Sequence, residues 1–179
     1  MLFEVYKVRV ILFDLGKTLE FNGGLLPGAK ELLSTIKEMH VPNGNSFALG
    51  LVSDYDNFAE GMRLIDVKRL QLEYYDNLHI LGISPYFEPL YKHVTLSTEV
   101  GVRKPDKKIF RAAVDGIEKD LPFENVLFIT EDPNHISAAR QLGIKGIHYK
   151  GPGQNTGDVD QLLDIVPLIQ NFLMTGTVT

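Results

Sequence analysis

The sequence predicts an α/β sandwich, a single parallel sheet covered by helices on both faces. Three observations predict it. Short apolar runs alternate along the chain with amphipathic stretches. The runs are nearly continuous in apolar residues, the pattern of strands buried on both faces. Several of them end abruptly on polar groups, as strands do at the carboxyl edge of an open α/β sheet, where ligands bind.

Residues 8–13 read VRVILF, a buried strand, and it delivers one carboxylate, Asp14, into a Gly-Lys-Thr turn. Pro27 and Gly28 open a helix over 29–39, with Leu32, Leu33 and Ile36 on one face. A turn is predicted at 42–45. A second buried strand covers 47–52 and ends in Ser53-Asp54. Residues 58–81 read as helix in pieces, weakened at Gly61, with Leu64, Val67, Leu70 and Leu72 facing inward and Gly82 as the stop. A short strand is predicted at 93–96 and a helix at 105–117. A strand at 125–129, a helix at 136–142 closed by Gly143, and a last strand at 145–149 follow. Residues 151–157 form a Gly-rich loop, 159–172 a terminal helix, and 173–179 a frayed tail.

At 179 residues the chain is expected to be one domain with a sizeable core. Its net charge of -5 argues against a large basic nucleic-acid face. With no cysteine, disulfides and thiolate chemistry are excluded. The start lacks the pattern of a signal peptide, and no apolar run could cross a bilayer, so a cytoplasmic protein is expected. The five histidines share no metal-ligand spacing, and His135 is read as structural or solvated. Tyr74, Tyr75, Tyr86 and Phe87 read as packing residues. Gly151-Pro152-Gly153 lacks the lysine and strand context of a phosphate loop.

Chemistry concentrates in four places: Asp14, Ser53-Asp54, Arg103-Lys104 and Thr130-Glu131-Asp132. A parallel sheet brings such strand ends to one edge. Two carboxylates there can hold a hard cation such as magnesium. A lysine beside them can keep a nucleophilic carboxylate ionised and neutralise a phosphate. A serine hydroxyl and backbone N–H groups can hold another phosphate oxygen. Each residue also has a plainer use. Asp14, Asp54 and Asp132 suit turns and caps, Ser53 can cap a helix, and Lys104 can form a surface pair.

The segments FDLGKTL, LVSD, GVRKPDKKIF and FITEDPNHISAARQLGI, in that order, resemble the four motifs of the haloacid dehalogenase-like (HAD) hydrolases. The resemblance runs from Val8 to Tyr149. It implies a Rossmann-like HAD core and a magnesium-dependent phosphohydrolase working through an aspartyl-phosphate. Asp14 would be the nucleophile and Lys104 its partner. Ser53, with Asp54 and Lys104, would hold phosphate. Asp14, the Gly16 carbonyl, and Glu131 or Asp132 would hold Mg2+.

The chain departs from that pattern in three positions. Gly16 stands where phosphatases of the family carry a second aspartate as general acid and base, a group worth about a hundred- to ten-thousand-fold in rate. Lys17 replaces the usual glycine, and Glu131 the usual aspartate. Only a short loop separates Leu19 from Pro27, so a large cap is also missing, and an open site suits an extended phosphorylated substrate. The alternatives are a weakened or inactive HAD-fold binding protein, and a halide-displacing hydrolase, which lacks its usual cap and halide-binding arginine here.

Overall fold

A computed structural model describes residues 8–41, 45–55 and 61–178. The chain opens with β1 (Val8–Phe13), whose last five residues are buried. A two-stranded hairpin follows, β2 (Glu20–Phe21) and β3 (Gly24–Leu25), turned through Asn22 and Gly23, both at positive φ. That Asn-Gly pair is the sequence signal for such a hairpin, which is not predicted above. Then come α1 (Ala29–Lys37), β4 (Ser46–Ser53), α2 (Leu64–Leu81), a short α3 (Leu90–His93) and β5 (Val94–Leu96). After α4 (Ser97–Val100) and α5 (Lys107–Ile117) the chain forms β6 (Val126–Thr130), α6 (Pro133–Gln141), β7 (Lys145–His148) and α7 (Ile165–Thr175).

The five longer strands form one sheet in the order β5-β4-β1-β6-β7, and every neighbouring pair is parallel. Alternate residues of β1 divide between two cores. Ile11 and Phe13 pack with Leu32, Leu33, Leu78, Ile169 and Phe172 on the face covered by α1, α2 and α7. Val10 and Leu12 pack with Ile109, Phe110, Ile136 and Ala139 on the face covered by α5 and α6. The result is a three-layer, Rossmann-like sandwich, as the sequence predicts. Among the described residues no cap-sized insertion is present, and no helix is long and apolar enough to cross a membrane.

Several boundaries differ for identifiable reasons. The helix predicted at 105–117 starts at Lys107, because the Asp106 carboxylate accepts the Lys108 N–H at 2.8 Å as its N-cap. The helix predicted at 136–142 starts three residues earlier, with Asp132 as N-cap and Pro133 in its first turn. Residue 93 belongs to α3, and the strand begins at Val94. The terminal helix begins later than predicted, after a 3-10 turn at Leu162–Asp164, and runs to Thr175 with Leu173 buried. From Leu64 onward α2 is one continuous helix, and Gly61 lies before it. Its inward stripe is Leu70, Tyr74 and Leu78, spaced by four, whereas Leu64 and Leu72 are exposed. Most of the turn at 42–45 and the start of the 58–81 segment lie outside the described residues.

Gly50 in β4 is held to glycine by close approach. A Cβ there would stand 2.7 Å from the Ile117 Cδ1 and 2.9 Å from a Leu12 methyl. Gly50→Ala is therefore expected to destabilise the fold by about 1–3 kcal/mol, read as a lower midpoint in urea unfolding at unchanged slope.

Candidate active site

The adjacency of β1 to β4 and β6 builds the site. Phe13 pairs with Leu51 on one side and with Ile129 on the other, so the ends of three strands meet around Asp14. The Asp14 N–H continues the ladder to the Ile129 carbonyl at 3.0 Å. Its carboxylate leaves the sheet with little freedom. Oδ1 accepts the Leu15 N–H at 2.8 Å and the Lys104 ammonium at 2.8 Å. Oδ2 accepts the Thr130 hydroxyl at 3.1 Å.

Lys104 is buried, with 1% of its side chain exposed. It reaches in from the loop before α5, and its Nζ also donates to the Val52 carbonyl at 3.0 Å. Asp54 holds that loop: its Oδ1 accepts the Lys104 backbone N–H at 2.9 Å. A carboxylate repels phosphate, so any phosphate role for Asp54 falls to its backbone N–H. Arg103 donates to the Tyr55 carbonyl at 3.4 Å.

On the other side of Asp14, Thr130 Oγ1 lies 3.1 Å from Asp14 Oδ2 and 3.2 Å from Glu131 Oε2. One hydroxyl proton thus serves two carboxylates. Thr18, fully buried, donates to Glu131 Oε2 at 3.0 Å and accepts the Glu131 N–H at 3.2 Å. Burial pushes the Glu131 carboxyl above the ordinary glutamate range. The charge on Asp14 adds to that rise, and the threonine hydrogen bonds offset part of it.

Asp132, the other candidate metal ligand, is placed differently. Its Oδ1 accepts the N–H groups of Asn134 and His135 at 2.8 and 3.3 Å, and its Oδ2 lies 3.8 Å from His135 Nε2. Its carboxylate therefore caps α6. His148 Nε2 meets the Glu131 carbonyl at 3.0 Å and steadies the same turn.

Gly16 is exposed at the rim. The bridge between Gly16 and Glu20 rests on hydrogen bonds made by its neighbours, Glu20 N–H to the Leu15 carbonyl and Lys17 N–H to the Glu20 carbonyl. A Cβ on Gly16 would meet nothing within 4 Å. Lys17 is exposed and takes φ 56°, the left-handed conformation in which the family's usual glycine carries no steric penalty. Behind the site, Gly151 fits closely. A Cβ there would stand 2.5 Å from the Lys17 carbonyl oxygen and 2.7 Å from the Glu131 Cβ.

The donor set suits a hard divalent cation. Asp14 and Glu131 bring two carboxylates together over one hydroxyl, and the Gly16 carbonyl stands nearby in sequence. Magnesium is commonly held by one or two carboxylates, with substrate oxygens completing its shell. No cluster of three or more histidine, aspartate or glutamate side chains able to hold a metal forms among the described residues. A bound cation would therefore take much of its shell from backbone, water or substrate.

Ser53 ends β4 and is buried, and it opens onto a cleft of ≈ 270 Å³. Leu15, Gly16, Glu20, Tyr74 and Asn77 also line this cleft. Sequence reasoning missed Thr18, whose partner is 113 residues away.

No protein-family model matches the sequence. Solved structures do match. A haloacid dehalogenase-like family hydrolase from Streptococcus pneumoniae aligns over 91% of this chain and 99% of its own, with TM-score 0.64 and 13% identity. The fold is that of the HAD superfamily. The D,D-heptose 1,7-bisphosphate phosphatase of B. bronchiseptica, solved with magnesium and phosphate, matches over 90% of this chain and 97% of its own, with TM-score 0.57 and 12% identity. Bacillus subtilis YfnB, described as a HAD hydrolase bound to magnesium, matches over 82% of this chain with TM-score 0.58 and 19% identity. The chain spans only 56% of YfnB.

The half-buried Glu131 has a consequence for pH. Folded, it keeps its proton to higher pH than when unfolded. Unfolding therefore releases a proton between those two values, and stability falls as pH rises through that window. Without added divalent cation, Glu131→Gln is expected to raise Tm at pH 7 by about 2–4 °C. The difference should vanish below the ordinary glutamate value of 4.5, as thermal melts at the two pH values would read.

Proposed function

We propose that the protein is a magnesium-dependent phosphohydrolase in which Asp14 attacks phosphorus and carries the phosphoryl group. The observation that supports this most is the buried Asp14–Lys104 pair, set directly beside Glu131 at the sheet's carboxyl edge. Distant similarity to HAD-superfamily hydrolases, one of them solved with magnesium and phosphate, supports the same reading.

Asp14 Oδ2 has one hydrogen-bond donor, the Thr130 hydroxyl, so a lone pair is available for attack. Oδ1 is fixed by Leu15 and Lys104, which orients the carboxylate. In the first step an Asp14 Oδ2–phosphorus bond forms as the bridging phosphorus–oxygen bond breaks, and the leaving oxygen takes the electron pair. In the second, water attacks phosphorus, phosphate departs with its share of the protons, and the carboxylate is restored. Lys104 offsets charge on the phosphoryl oxygens, and Ser53 donates its hydroxyl to one of them. Held by Asp14, the Gly16 carbonyl and Glu131, magnesium would neutralise the repulsion between phosphate and carboxylates. Asp132 serves this set by capping the helix behind it.

With glycine at position 16, the leaving oxygen draws its proton from water, so turnover should be slow or restricted to good leaving groups. The uncapped rim suits an extended phosphorylated substrate. A second reading, a phosphate-binding protein with little turnover, is favoured by the same Gly16.

Release of inorganic phosphate from a phosphomonoester panel, with magnesium or with chelator, tests the proposal. Wild type should turn over only with magnesium. Asp14→Asn keeps a neutral acceptor for Lys104, so it should still fold, at a lower Tm, and lose at least about a thousandfold in rate. An unchanged rate in that variant would overturn the mechanism. Wild type that binds phosphate yet turns nothing over would favour the second reading. Gly16→Asp, which has room for its side chain, is expected to raise kcat by up to about a hundredfold on poor leaving groups.

A further inference from the structure

Tyr74 lies outside the four motifs, on the inward stripe of α2, and is 4% exposed. Its hydroxyl oxygen is buried and has no hydrogen-bond partner among the described residues. The Ser53 side chain acts on it as a weak hydrogen-bonding neighbour, outside full hydrogen-bond geometry. Buried tyrosine hydroxyls are normally satisfied, and an orphan one is a standing cost to the fold. Packing holds it in place: the Tyr55 ring meets the Tyr74 ring edge-on, with centroids 5.8 Å apart and planes at 77°. Tyr74 also lines the cleft shared by Leu15, Gly16 and Ser53.

We propose that Tyr74 is an anion-binding residue of the active site, its hydroxyl donating, alongside Ser53, to an oxygen of the phosphoryl group seated on Asp14. This rests on the phosphohydrolase reading above. Two adjacent hydroxyls that hold each other only weakly can both turn to one ligand oxygen. A neutral donor suits this place, because Lys104 is already committed to Asp14 and Val52. Burial, with Asp14 and Glu20 nearby, pushes the phenol up, so it stays a donor. A hydrogen bond to an anionic oxygen is among the stronger kinds, and the water-excluded setting adds to it. The unsatisfied hydroxyl is thus stability given up in return for a preformed phosphate contact.

The test compares wild type, Tyr74→Phe and Asp14→Asn, all with magnesium, by calorimetric titration with inorganic phosphate and by phosphatase assay. Tyr74→Phe removes one oxygen and an unsatisfied group, so its Tm should be unchanged or higher. Its phosphate affinity is expected to fall about tenfold or more, with a matching rise in KM across both good and poor leaving groups. A merely structural tyrosine would give a lower Tm and no selective loss of phosphate binding, and that result overturns the inference. If wild type binds phosphate and needs Asp14 for turnover while Tyr74→Phe binds equally well, the tyrosine assignment fails alone and the phosphohydrolase reading stands. If wild type neither binds phosphate nor turns over any phosphomonoester, both fail together.

Discussion

The arrangement depends on one buried ion pair. Asp14 ends β1 and Lys104 arrives from the loop before α5, and the two meet at 2.8 Å with almost no solvent on the lysine. Burying either charge alone would be costly, and breaking such a pair is worth about 3–5 kcal/mol. The pair therefore fastens a loop from one side of the sheet to the end of its central strand. The Lys104 ammonium also bonds the Val52 carbonyl, so β4 is drawn into the same knot. Any ligand that approaches Asp14 meets a carboxylate already aligned and a cation already desolvated. That prior alignment is where an electrostatic catalyst gains most.

Around this pair the two sides of the site carry different groups. Toward Glu131, carboxylates crowd together and share one hydroxyl proton, leaving a deficit of positive charge that suits a divalent cation. Toward α2, the Ser53 and Tyr74 hydroxyls share a cleft with the carboxylates of Asp54 and Glu20. In the proposed hydrolysis, the part that is missing is a proton shuttle at position 16. Its absence bears on rate rather than on binding, since the backbone there is intact and open.

Much of this was legible in the sequence. The apolar run to Phe13 specifies β1 and the place of Asp14, and the order of motifs brings Lys104 and Glu131 to it. Local chemistry also explains the shifted helix starts, for Asp106 and Asp132 are caps with readable N-cap identity. What could not be read depends on tertiary register. Leu64 and Leu72 have the right polarity for a core, but the stripe that meets the sheet runs through Leu70, Tyr74 and Leu78. The choice between two apolar faces of one helix is made by what lies opposite. Tyr74 is buried, as its aromatic character suggests, yet no sequence pattern could show its hydroxyl to be orphaned. Thr18 is likewise invisible until β1 and β6 lie side by side.

Gly151 gives the site a rear wall made of main chain. With less than a methyl's width between its Cα and both the Lys17 carbonyl and the Glu131 side chain, any larger residue at 151 would push against both. The seat of Glu131 is thus held in part by a loop that contributes no side chain to the chemistry.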